Sequence, residues 1–418
     1  MAMPSLLEHD FRAAVSKHGE GARNLGSTME KVLILDGCNR SALAATRSLG
    51  RKGVKVVVAD ETPSTLASGS RYCLEDFTYP SPNRYPEAFI NVLKQEADKR
   101  QIKVMMPMTE ITTSVILKER AKFNGLIIPF APFEAFDQLT NKWWLLELAR
   151  DLGISVPRTH FVHKPDELNA LRGQIDFPAV LKPFRSRICC GPRWLETAVR
   201  YAGSFEEIER MVAQFEFLNQ HPFMIQECVR GQGEGVFTLY NQGQAVVFFG
   251  HRRLRENPPS GGVSVLSESI VPNPKAQEAA RKLLDFIRWH GVAMVEFKVA
   301  EDGTPYLMEV NARFWGSLQL AIDAGVDFPW LLYQLATGQP VDPIGGYKLG
   351  VKNRWLLGDA AHLYKSLIRG KDLDMPHGQK WRTLLDFVNF FDRETRYEVN
   401  RWDDPLPFVA ELKQRFLH

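Results

Sequence analysis

A buried strand that carries a carboxylate, an amide and a guanidinium on one face needs charged partners opposite. Residues 305–317, PYLMEVNARFWGS, set that problem: Tyr306, Leu307, Met308 and Val310 are apolar, while Glu309, Asn311 and Arg313 stand at alternate positions. Strand side chains alternate with period two, so the three polar groups share a face. The longer stretch VAMVEFKVAEDGTPYLMEVNARF (292–314) reads as a hairpin, with Asp302-Gly303 as a two-residue turn signal. That turn puts Glu296 directly across from Glu309, with Asn311 as the diagonal neighbour. Opposed carboxylates on a half-buried sheet repel. Salt bridges to Lys298 and Arg313 would relieve the repulsion; so would a hard divalent cation with oxygen ligands. Two acids plus an amide in register favour the metal. The register depends on the turn, because a three-residue loop would shift it.

The remaining sequence supplies the cations that a metal-bound phosphate would need. Lys182 closes the apolar run AVLK, where a strand-end lysine meets phosphate as a point charge. Lys142 opens a helix capped by Thr140 or Asn141 and ended by Gly153, where helix amides also favour anions. In QECVRGQGE (226–234), Glu227 and the backbone of Cys228 and Val229 can meet the edge of a purine, and Glu234 a ribose. Each of these residues alone reads equally as an ordinary surface or strand-end group.

The N-terminal third has its own pattern. KVLILDG (31–37), a helix over 40–53, VKVVVAD (54–60), KVMMPM (103–108) and GLIIPF (125–130) alternate strand and helix, which predicts parallel βαβ units in a Rossmann-like sheet. The first turn, Gly37-Cys38-Asn39-Arg40-Ser41-Ala42, lacks the GxGxxG pattern and so disfavours a dinucleotide. Asp60 then reads as a strand-end polar residue rather than a ribose ligand.

The chain has 418 residues, more than one core serves, and 52 Lys plus Arg against 49 Asp plus Glu. A net charge of +3 gives no whole-chain argument for nucleic acid or an anionic membrane. No apolar run is long enough to span a bilayer. Five cysteines without metal-type spacing suggest free thiols in a reducing, cytoplasmic setting. Residues 1–29 have no apolar core of a secretory signal and read as a flexible tail.

Taken in order, these pieces resemble the ATP-grasp superfamily, including carboxylate–amine ligases and carbamoyl-phosphate-synthetase-like enzymes. The resemblance covers roughly residues 31–340. It rests on Lys142, Lys182, the pair Glu227 and Glu234 seven apart, and Glu296 followed by Glu309-x-Asn311 with Arg313 beyond. It implies an α/β chain: a flexible tail (1–29), a Rossmann-like domain (30–135), a two-lobed α+β ATP-grasp domain (136–230 and 231–342) and a C-terminal extension (343–418). It implies ATP phosphates on Lys142 and Lys182, and adenosine on Glu227, Cys228, Val229 and Glu234. Magnesium, or manganese in its place, would sit on Glu296, Glu309 and Asn311, with Arg313 as the catalytic residue.

The implied reaction joins a small carboxylate to an amine or thiol through an acyl phosphate, releasing ADP. Bicarbonate as the activated acid, and an ATP-binding module without catalysis, are the alternatives. A homodimer is the family habit. The loop FRSRICCGPR (184–193) departs from the expected Gly/Ser-rich phosphate loop and offers Arg185, Arg187 and Arg193 instead. In HRRLRENPPSGGVS (251–264), Arg253 and Arg255 alternate and could grip a substrate carboxylate, with Gly261 and Gly262 allowing close approach. A basic edge strand is the equal alternative.

Overall fold

The structure is a computed structural model that describes residues 30–185, 187–190, 193–258, 262–341, 344–368, 387–388 and 394–416. The tail (1–29), Gly261, Trp381, Phe390 and Phe391 lie outside the described residues, as do the side chains of Arg187 and Arg193.

The first four strands, β1 (Val32–Ile34), β2 (Val56–Asp60), β3 (Cys73–Thr78) and β4 (Val104–Met106), form a parallel sheet in the order β3-β2-β1-β4. Every residue of β1, β2 and β4 is buried, as expected of strands covered on both faces. The run 125–130 contributes only a single parallel bridge, Val104 to Ile127. The turn after β1 is built on Asp36 at φ +59°. Its carboxylate accepts from the Met108 and Thr109 amides at 2.9 Å and from Thr112 Oγ1 at 2.7 Å. Asp60 accepts from the Cys38 amide at 2.9 Å. Both acids therefore brace loops.

The next lobe holds β5 (Thr159–Val162), β6 (Ala179–Pro183), the hairpin of β7 (Arg187–Cys190) and β8 (Arg193–Glu196), β9 (Arg200–Ala202) and β10 (Phe223–Glu227). Its main sheet is antiparallel, ordered β5-β10-β6-β9, over a separate core of Val162, Leu181, Ile208, Phe223 and Ile225. Two helices follow β9, Phe205–Gln214 capped by Ser204 and then Glu216–Asn219, with Phe215 extended between them.

The large sheet contains β11 (Gln232–Asn241), β12 (Gln244–Asn257), β13 (Val263–Ile270), β14 (Gly291–Val299), β15 (Pro305–Asn311), β16 (Lys352–Arg354) and β17 (Thr395–Tyr397). They are ordered β15-β14-β11-β12-β13-β16-β17. The C-terminal segment thus supplies two strands of this sheet. It is also fastened to the N-terminal domain: Arg47, fully buried, donates to Asp404 Oδ2 at 2.8 Å and to the Glu398 and Val399 carbonyls. A single hydrophobic core joins the parallel sheet to the large one, running from Val32 through Phe237 and Trp315 to Val399.

The metal-type hairpin corrects one sequence expectation and keeps its consequence. The loop is three residues, 301–303, closed by Ala300 pairing with Thr304, with Gly303 at φ +81°. Alone, it would shift the register by one. A β-bulge between Glu296 and Phe297 absorbs the extra residue, Met308, so Glu296 again faces Glu309.

Candidate active site

Helix Lys142–Asp151 starts where Asn141 accepts hydrogen bonds from the Trp143 and Trp144 amides. The Lys142 amide donates to the Phe184 carbonyl at 2.9 Å, which ties this helix start to the end of β6. Lys142 Nζ then reaches Glu309 Oε2 at 2.7 Å. Burial works against the ammonium, but Glu309 outweighs it and Lys142 is held more firmly protonated than usual. The Lys142 charge in turn pulls Glu309 down to about 2.

Lys182 arrives from β6 and lies 3.9 Å from Met308 Sδ, the bulge residue. Desolvation drops it to about 8, with neighbouring Lys142 adding to the fall and Glu309 opposing it. Lysines from the start of helix Lys142–Asp151 and from β6 therefore converge on the acidic hairpin.

Glu296 takes a different partner. Its Oε1 accepts from Asn311 Nδ2 at 2.9 Å, and its Oε2 is paired with Arg253 Nη2. Desolvation raises Glu296, and Arg253 counters the rise. Arg253 belongs to β12, and the β11 strand separates it from β14. The crossing is open because β11 has glycines there: a Cβ on Gly233 would sit 3.3 Å from Arg253 Cδ, and Gly235 pairs directly with Glu296. Arg253 also binds Glu256 Oε1 at 2.9 Å. Arg255 turns elsewhere, to Asp359 at 3.0 Å. The two arginines are therefore not aimed jointly at one ligand. Gly262 leads into β13 beside them, and a Cβ on it would press against the Asn257 carbonyl at 2.5 Å.

The opposed carboxylates thus meet two protein cations, one each. Neither is the Lys298 or Arg313 of the salt-bridge alternative. Sequence reasoning missed Arg253 in this role; the signal was the Gly-x-Gly of β11 facing a strand acid.

The interlobe linker begins after Glu227, whose carboxylate accepts from the Arg158 amide at 3.0 Å and from Arg158 Nε at 2.9 Å. Cys228 is a free thiol in that linker. Glu234 is half-buried in β11; burial raises it and Arg252 opposes. Arg185 is paired with both oxygens of Asp137 at 2.9 Å.

Arg313 lies past the end of β15. Its Nη1 donates to the Phe314 carbonyl at 2.7 Å, and its buried Nε has no partner. It lines a cleft of about 590 Å³ with the Cys38–Ser41 turn, Trp355 and the C-terminal helix Leu406–Phe416.

A magnesium ion suits the donor set. Among the described residues no three His, Cys, Asp or Glu are clustered for a metal. Two carboxylates and an amide in register nevertheless supply hard oxygen ligands, and magnesium commonly takes one or two carboxylates and completes its shell with water and phosphate.

Residues 219–356 match the family described as ATP-grasp in the biosynthetic pathway with Ter operon. The carbamoyl phosphate synthase large chain of Methanospirillum hungatei is 24% identical over 318 residues, which are 73% of this chain and 29% of that protein. The chain therefore spans less than a third of that relative. The L-amino acid ligase of Bacillus licheniformis superposes with a TM-score of 0.58 at 18% identity, covering 74% of this chain and 75% of that one. The biotin carboxylase domain of Hydrogenobacter thermophilus 2-oxoglutarate carboxylase, solved as a dimer with MgADP, ADP and bicarbonate, gives 0.59 at 14% identity, covering 78% and 74%. These likenesses establish a shared fold.

Proposed function

We propose that this chain, an ATP-grasp protein, is an ATP-dependent ligase that joins a small carboxylate to an amine or thiol, forming an amide or thioester. The observation that carries the reading is the pairing of Glu296 with Glu309 between Lys142, Lys182 and Arg253, beside a cleft containing Arg313.

Lys142 and Lys182 would bind the β- and γ-phosphates. The Cys228–Val229 backbone would meet adenine, with Glu227 held in place by Arg158, and Glu234 would meet the ribose. Magnesium on Glu296, Glu309 and Asn311 would neutralise phosphate charge. Phosphoryl transfer depends on in-line positioning and charge neutralisation more than on a protein nucleophile.

A substrate carboxylate oxygen attacks the γ-phosphorus, the bond to the β-phosphate oxygen breaks, and ADP leaves. Arg313 donates to the transferring phosphoryl oxygens. An amine then attacks the acyl carbon, loses a proton, and phosphate departs. The two-lobed division (136–230 and 231–342), a cytoplasmic setting and a homodimer belong to the same proposal. Among the described residues no helix is long and apolar enough to cross a membrane.

The test is ADP release across a panel of carboxylates and amines, with hydroxylamine present to trap an acyl phosphate as the hydroxamate. Hydroxamate formation that requires ATP and magnesium is expected. ATP turnover without any carboxylate dependence would overturn the reading.

A further inference from the structure

The cleft beside Arg313 brings together parts of the chain distant in sequence, among them the turn after β1, the segment following β15 and the C-terminal helix. Its charged groups are unevenly satisfied. Arg40 is spent, being paired with Glu398 and lying 4.1 Å over the Trp355 ring. Arg313 has no carboxylate partner among the described residues, and its Nε is buried without a hydrogen bond. On the same wall, helix Arg40–Arg51 begins with no side-chain cap. These donors favour an anionic group.

Glu411 has the opposite need. It is only 7% exposed, yet it accepts one hydrogen bond, from Trp355 Nε1 at 2.6 Å, and has no ion-pair partner among the described residues. Burial pushes its carboxyl up, with Trp355, Arg40 and Arg415 pulling back. A buried acid with so little compensation is costly unless a cation joins it. A purely anionic ligand would leave the buried Glu411 without a cation in contact, and a purely cationic one would leave Arg313 unmet.

We infer that this cleft binds a free amino acid, its carboxylate towards Arg313 and its ammonium read by Glu411 of the C-terminal helix. The inference rests on the ligase reading and names the substrate class of that site. It also gives a task to residues beyond the 219–356 family match.

The experiment uses the full chain with magnesium and a non-hydrolysable ATP analogue. Thermal stabilisation is measured with the twenty proteinogenic L-amino acids, each beside its N-acetyl derivative and its methyl ester. At least one free amino acid should stabilise the protein while both blocked forms do not. Glu411→Gln keeps an acceptor for Trp355 but loses the charge. It should weaken that amino acid about tenfold or more while nucleotide affinity stays the same. Glu411→Asp should recover part of the loss, which a merely structural role would not predict. Equal binding of the N-acetyl form, a silent Glu411→Gln, or no response from any amino acid would each overturn the inference. Failure to bind the nucleotide analogue at all would instead overturn the ligase reading.

Discussion

Lys142 Nζ lies 2.7 Å from Glu309 Oε2, so helix Lys142–Asp151 delivers its leading cation onto the acidic hairpin that shares its core. Both ends of this contact are residues that a metal-bound nucleotide would need. Magnesium and phosphate would have to divide the pair, the metal taking the carboxylate and the phosphate the ammonium. The contact keeps both groups ionised.

Glu309→Ala should abolish magnesium-dependent ADP release while leaving the circular dichroism spectrum unchanged. Glu309 is about a third open to solvent, so its pairing adds only about 1 kcal/mol of stability. That contribution is present above the ordinary glutamate value of 4.5 and is lost as pH falls towards about 2. Undiminished ADP release from the variant would remove Glu309 from the metal site.

Lys182 should make nucleotide affinity depend on pH. Its ammonium, depressed to about 8 from 10.5, is neutral in the free protein above that pH, and bound phosphates must draw a proton onto it. Affinity should fall as pH rises through about 8, with proton uptake visible when calorimetry is repeated in buffers of different ionisation enthalpy. Between about 8 and 10.5 the folded state holds fewer protons than the unfolded one. The cost of burying the charged lysine is therefore relieved as pH rises. Lys182→Gln should flatten both profiles; an inflection that persists would belong to another group.

Arg253→Met leaves Glu296 partly buried without its ion-pair partner. Removing one member of such a pair costs about 3 kcal/mol, read as a lower denaturation midpoint at unchanged m-value. Adding Glu296→Gln should recover much of it, because the orphaned charge is gone. If the single variant is as stable as the parent, Arg253 does not serve Glu296.

Arg47→Met tests the fastening of the C-terminal segment. The side chain is fully buried against Asp404, and its loss should cost about 3 kcal/mol. Amide exchange should rise across 394–416 before the rest of the large sheet. Unchanged protection there would show that β17 and the final helix dock without it.

Gly303→Ala probes the loop that replaced the expected turn. The position is left-handed at φ +81°, and a Cβ there meets nothing within 4 Å, so any cost is conformational. About 1 kcal/mol is expected, with Gly303→Asn milder. A neutral alanine variant would contradict the three-residue loop.

Much of this protein was legible along the chain because local chemistry repeats at short range. Continuous apolar runs marked β1, β2 and β4, a cap at Thr140 or Asn141 announced the helix that Asn141 caps, and strand alternation put Glu309, Asn311 and Arg313 in one series. The pairing of Glu296 with Glu309 was also legible, though for an incomplete reason: loop length and bulge each shift register by one residue, and only their sum shows in the pairing. Tertiary structure alone decided which cation meets which acid. Arg253 reaches Glu296 across Gly233 and Gly235 of β11, Lys142 reaches Glu309 from the start of a distant helix, and Glu411 joins Trp355 and Arg313 around one cleft. No periodicity encodes those meetings, because a charge acts through space on whatever the fold brings near.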